Sequence, residues 1–123
     1  MAGGRTVSIV DDDEAIRLAV ASLVRSLGWE ARLFASAEEF LASPYLDDTI
    51  CLISDERMSG MSGAAMHDRL LQLGYVTPTI FITAFPTPAL CAKIGSNGVL
   101  AVIEKPFDAR AMEYWLNVAL SWP

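Results

Sequence analysis

Five short strand-like runs, each separated from the next by a stretch with helical signals, constrain this 123-residue chain more than any other feature in it. Four are β-branched or apolar: Thr6 to Val10, Ile50 to Ser54, Thr79 to Thr83 and Val99 to Ile103, while Glu30 to Phe34 alternates. Runs this short, bounded by turn residues, read as strands. Between the first two, Ile16, Val20, Leu23, Val24 and Leu27 recur at helical spacing, and Gly28 closes the segment. Ser36-Ala37-Glu38-Glu39 is a capping-box sequence that predicts a short helix ended by Pro44, with Tyr45 to Thr49 as loop. Ala64 to Leu73 has helix-forming composition and stops at Gly74. Pro86 and Pro88 fit the lead-in and first turn of a fourth helix carrying Leu90 and Ile94, which Gly95 to Gly98 breaks. Asp108 is the N-cap candidate for a last helix reaching about Ser121. Connections of this length are too long for hairpins, so the expected fold is a doubly wound α/β domain, a five-stranded parallel sheet with five helices on its two faces.

Such a domain needs one core, and 53% hydrophobic content in 123 residues supplies it. The net charge of −6 argues against nucleic acid as a direct partner, because duplex binding relies on Lys and Arg to neutralise phosphates. No apolar run approaches the length needed to span a membrane, and Met1 to Arg5 leads into the first strand without a secretory h-region, so the expected location is cytoplasmic. Cys51 and Cys91 form no CxxC or Cys/His pattern and read as reduced packing residues.

The strand ends carry the chemistry. The first strand delivers Asp11 and Asp12, the third Asp55, the fourth Thr83 and the fifth Lys105. In a parallel sheet these C-terminal ends share one rim, where open α/β sheets place their ligand sites. Each residue has a plainer reading: Asp11, Asp12 or Asp13 as helix caps, Asp55 and Thr83 as turn formers, Lys105 as a solvated lysine. Asp13, furthest along, fits the cap best. Crowded carboxylates repel unless a cation offsets them, and a hard oxygen-ligand site suits Mg²⁺. Lys and Thr side chains can bond phosphoryl oxygens, and a carboxylate can attack phosphorus to form an acyl phosphate. The lone His67, on the helix after the Asp55 loop, has no neighbour that recommends it as a phospho-histidine and reads as a surface or packing residue.

The strings Ile9-Val10-Asp11-Asp12-Asp13, Ser54-Asp55-Glu56-Arg57-Met58 with Gly60-Met61-Ser62-Gly63, Phe81-Ile82-Thr83-Ala84, and Ile103-Glu104-Lys105-Pro106-Phe107 occur in order across the whole chain. In this the chain resembles the receiver domains of bacterial two-component response regulators, the CheY-like fold, and within it the nitrogen-fixation (FixJ-like) branch. The resemblance implies a single receiver domain over 1–123 with strand order 2-1-3-4-5. It implies Asp55 as phosphoacceptor for a histidine kinase; Asp11, Asp12, Asp55 and the backbone carbonyl of Arg57 as the Mg²⁺ ligands; Thr83 as switch hydroxyl; and Lys105 as the phosphate-pairing lysine. A cis Lys105–Pro106 bond is implied too. The chemistry so implied is self-phosphorylation and slow autodephosphorylation, not turnover of a substrate. In the resembling branch a DNA-binding effector domain commonly follows, and Trp122-Pro123 stands where a linker would begin.

Two positions depart from the family pattern. Ser59 stands where proline is usual, four residues after Asp55, and Val102 replaces the switch aromatic three residues before Lys105. A stiff β-branched side chain cannot swing as a ring does, so Phe85, just after Thr83, becomes the candidate relay. On the last helix Met112, Leu116 and Ala119 suffice as a core stripe, which leaves Ala111, Tyr114, Trp115 and Val118 as spare apolar surface and predicts self-association through the fourth helix, fifth strand and fifth helix. Packing of Trp115 and Tyr114 over the sheet edge is the other reading. A phosphorylation-independent adaptor would keep the same pocket. A Mg²⁺-dependent phosphohydrolase with an aspartyl nucleophile would want an acid two residues after Asp55, where Arg57 stands, and the loop after the first strand lacks the glycines of a nucleotide-binding site.

Overall fold

The computed structural model describes residues 6–121; the Met1–Arg5 lead-in and the Trp122-Pro123 end lie outside the described residues. Five strands, β1 (Thr6–Val10), β2 (Glu30–Phe34), β3 (Thr49–Asp55), β4 (Thr79–Thr83) and β5 (Val99–Glu104), alternate with α1 (Glu14–Ser26), α2 (Ala37–Leu41), α3 (Gly63–Gln72), α4 (Pro88–Cys91) and α5 (Ala109–Leu120). All pairings are parallel and the order is β2-β1-β3-β4-β5. The chain steps outward from β1 to β2 and returns across β1 to β3, so the order reverses between β1 and β3. A crevice for ligands opens there, at the carboxyl ends of these two strands.

Successive side chains of a strand point to opposite faces, and the core divides accordingly. Cys51 and Ile53 of β3 join Val7, Ile9, Ile80, Ile82 and Ile103 under α1 and α5, whereas Leu52 faces Phe40, Met66 and Leu70 of α2 and α3. Phe81 points to the α4 side with Leu90 and Val99, and half-buried Val102 packs against this third cluster. Burial lifts the Cys51 thiol to about 12, so it stays an inert packing group.

Caps set most helix starts. Asp13 accepts from the amides of Ala15 and Ile16, Ser36 from Glu39, Ser62 from Ala65 and Asp108 from Arg110. Gly28 and Gly74, both at positive φ, follow α1 and α3 as expected.

Several expectations need correcting. Thr49 opens β3 instead of ending the loop before it. The fourth helix does not reach Ile94: Thr87 caps it and Pro88 opens it, but after Cys91 the amides of Lys93 and Ile94 bond carbonyls three residues back. Gly95 then turns left-handed, its amide bonding the Val99 carbonyl, so the chain must leave the helix early to enter β5. Ile94 and Cys91 are exposed, so Cys91 is not a packing residue. Trp115 and Val118 are not spare surface; both pack partly against the core, and exposed Tyr114 stands edge-on to Trp115. Of the two readings of His67 the packing one holds: it is 3% exposed, with Nε2 3.0 Å from the Asn97 carbonyl and its ring edge-on to Phe81.

Candidate functional site

The C-terminal ends of four strands bring the expected side chains together. Asp11 follows β1 and is buried; its Oδ1 accepts the Asp13 amide at 2.9 Å, and its carbonyl accepts Arg17 Nη1 at 2.6 Å. Asp55 ends β3, beside β1 in the sheet. Asp12 is exposed at the rim, yet Asp11, Asp12 and Asp55 each offer an oxygen within 4.8 Å of the others. Lys105, just beyond β5, places Nζ 3.1 Å from Asp11 Oδ2 and 3.3 Å from Asp55 Oδ2, and its own amide bonds the Thr83 carbonyl at 2.8 Å. Thr83 ends β4, buried, with Oγ1 accepting the Phe85 amide at 3.2 Å, which leaves the hydroxyl proton free to donate elsewhere. The Lys105–Pro106 peptide is cis.

Gly63 shows how tightly the third strand's end is packed. A Cβ there would overlap the Asp55 carbonyl and meet Ser54 Oγ at 3.0 Å, so only glycine lets α3 begin this close to the site. Glu56 secures that start, its carbonyl accepting the Gly63 amide and its Oε1 the Ala64 amide at 2.7 Å.

Charge in this pocket is unbalanced: three carboxylates face one ammonium. Burial pushes the Asp55 carboxyl above its usual range and the Asp11 charge adds to this, against a smaller downward pull from Lys105. Burial works to lower the Lys105 ammonium, but the hydrogen bonds and charges of Asp11 and Asp55 outweigh it, and the net shift is upward. Lys105 is therefore a fixed cation, and the remaining negative charge on hard oxygen donors fits a divalent cation such as Mg²⁺. Arg57 lies in the loop after β3 with its side chain exposed, the guanidinium 5.2 Å from the Phe85 ring centre.

Three contacts around the site have no signal in the sequence because each joins separate elements. These are Arg57 over Phe85, the Ser59 amide on Asp12, and the Met61 amide on Glu38 of α2. A cleft lined by Trp29, Tyr75, Val76 and Leu120 also borders Thr49 and Pro78, near the starts of β3 and β4, and so lies at the opposite end of the sheet from the carboxylates.

Comparison with known proteins agrees with this geometry. A model of the response regulator receiver domain matches residues 7–117. The chain is 39% identical over 118 residues to the C4-dicarboxylate transport transcriptional regulatory protein DctR of Rhodobacter capsulatus, covering 94% of this chain and 58% of that protein. Among solved structures it resembles FixJ-N, with 32% identity, TM-score 0.80 and coverage of 94% of this chain and 92% of that one. The response regulator StyR matches at 31% identity and TM-score 0.88, covering 96% of this chain and 60% of that one. The chain spans about half the length of the curated relatives it matches. A sheet ordered β2-β1-β3-β4-β5, an acidic rim at its reversal point and a match over most of the sequence have one reading: this chain belongs to the response regulator receiver domain family.

Proposed function

We propose that the domain is a phosphorylation-dependent switch in which Asp55 accepts a phosphoryl group from a histidine kinase, with Mg²⁺ held by Asp11, Asp12, Asp55 and the backbone carbonyl of Arg57. The observation that carries this reading is the Lys105 ammonium set between Asp11 and Asp55, beside three carboxylates that offer oxygens within 4.8 Å of one another. An Asp55 oxygen attacks the phosphorus of the donor; the new O–P bond forms as the donor's P–N bond breaks, or its P–O bond in a small acyl phosphate, and the donor group leaves with that electron pair. Bound there, the cation neutralises charge developing on the phosphoryl oxygens. Lys105 exchanges part of its contact with Asp55 for a phosphoryl oxygen, and the Thr83 hydroxyl donates to another. Hydrolysis of the acyl phosphate resets the switch.

Movement of Thr83 draws on Phe85, whose amide it already holds. Phe85, Ile94 and Tyr114 are exposed apolar side chains on the β4–α4 and α4–β5 connections and on α5, the elements through which we infer self-association or contact with an effector region. Incubation with labelled acetyl phosphate tests the reading. Label should enter the protein in Mg²⁺ and be absent after chelation or in Asp55→Asn; equal incorporation in that variant would overturn it.

A further inference from the structure

Two alternate amides of the loop after β3 are held by carboxylates from other parts of the fold. Ser59 N–H donates to Asp12 Oδ2 at 3.3 Å, and Met61 N–H donates to Glu38 Oε2 at 2.9 Å. Between them Gly60 takes φ +85°, and a Cβ on it would stand 2.6 Å from Glu38 Oε2. Glu38 lies in the first turn of α2, which Ser36 caps, while Glu39 bonds the Ala35 amide at 2.6 Å. The clamp therefore stands on a braced helix start.

The three carboxylates of the pocket are held differently. Asp11 is buried between the Asp13 amide and Lys105, and Asp55 is buried against Lys105. Asp12 is exposed, and repulsion from the other two favours its swinging outward into water. The Ser59 amide opposes that swing. An ionised carboxylate has about four lone-pair sites, so one N–H fixes its direction and leaves room for a cation. This bond exists because residue 59 is not proline, which has no N–H to give.

We propose that the Ser59 backbone amide, braced by Glu38 on Met61, is a positioning group that presets Asp12 for the divalent cation. The proposal rests on the reading that Asp11, Asp12 and Asp55 take Mg²⁺.

Mg²⁺ titration by calorimetry, without any phosphodonor, tests it on the full chain. Ser59→Ala keeps the amide and should bind as wild type does. Ser59→Pro deletes the donor and should weaken binding about tenfold, the lower end of what outer partners of metal ligands are worth. Glu38→Ala frees the brace and should weaken it about threefold, less than loss of a direct partner. Hydrogen exchange of the Ser59 amide in metal-free protein gives a readout independent of the metal: the amide should be protected, and Asp12→Ala should remove the protection. The proposal is overturned if Ser59→Pro binds as tightly as wild type, if Ser59→Ala loses as much as Ser59→Pro, or if Asp12→Ala leaves the amide's exchange unchanged. Should Ser59→Pro not fold, Glu38→Ala with unchanged affinity overturns the brace and the exchange measurement decides the amide. Wild-type protein that takes no Mg²⁺ would be a different failure, one of the metal assignment itself, and this role would fall with it.

Discussion

The Arg57 guanidinium lies 5.2 Å from the centre of the Phe85 ring, joining the loop after β3 to the segment after β4. A cation over an aromatic face at an exposed site is worth about 0.5–1 kcal/mol, enough to bias a loop without locking it. Phe85 is thus tied at both ends, its ring to Arg57 and its amide to Thr83 Oγ1. Val102 sits half-buried beside Phe81, Leu90 and Val99, with too few atoms and too stiff a χ1 to distinguish two states of that cluster.

Phe85→Ala should therefore uncouple phosphorylation from surface change, and Val102→Ala should not. Dimerisation followed by sedimentation with and without beryllofluoride, a phosphoryl mimic, is the measurement. A response lost with Val102→Ala and kept with Phe85→Ala contradicts the assignment.

Asp55 is held above its usual 3.8, chiefly by burial and then by Asp11. The folded state binds that proton more tightly than the unfolded one, so this contribution to stability is present at low pH and is lost as pH rises from about 4 through the raised value. Metal-free Asp55→Asn, which never acquires the charge, should melt higher than wild type at pH 7. The difference should vanish near pH 3 and shrink when Mg²⁺ is added to wild type. A variant that melts lower than wild type at pH 7 would contradict the repulsion argued here.

The same shift bears on rate. Because the carboxylate is the nucleophile, labelling by acetyl phosphate should fall as pH drops through the raised Asp55 value, and higher Mg²⁺ should move that fall to lower pH. A profile flat from pH 7 down to pH 4 would argue against Asp55 as the attacking group.

Lys105 follows the same sign in a higher pH window: its raised ammonium stabilises the fold at all pH values below its ordinary titration and ceases to do so as pH climbs through the raised value. Lys105→Met leaves Asp11 and Asp55 facing one another and should cost about 1–3 kcal/mol of stability, less than breaking a fully buried pair because the rim is open to water. Mg²⁺ should restore part of the loss, read as a larger metal-induced rise in Tm than wild type shows.

Much of the fold and pocket was legible because short strands declare themselves by composition and a parallel sheet aligns their ends. Asp11, Asp55, Thr83 and Lys105 each immediately follow or end a strand, so sequence position alone placed them together. What stayed hidden depends on partners far along the chain. His67 reads as an indifferent helix residue until the Asn97 carbonyl, at a left-handed turn, and the Phe81 ring close over it. The short α4 was equally opaque, since Leu90 and Ile94 keep helical spacing while Gly95 and Gly98 turn the chain left-handed into β5. Ser59 was recognisable as a lost proline, but not as a gained donor, because its acceptor Asp12 lies on another element.

The most direct measurement of the central claim is the position of the phosphoryl group. Protein treated with acetyl phosphate and Mg²⁺, reduced with borohydride and mapped by peptide mass spectrometry should carry homoserine, the reduction product of an aspartyl phosphate, at residue 55. Homoserine at residue 11 or 12 instead, or phosphate retained on Ser54 or Thr83 with residue 55 unmodified, would contradict the account.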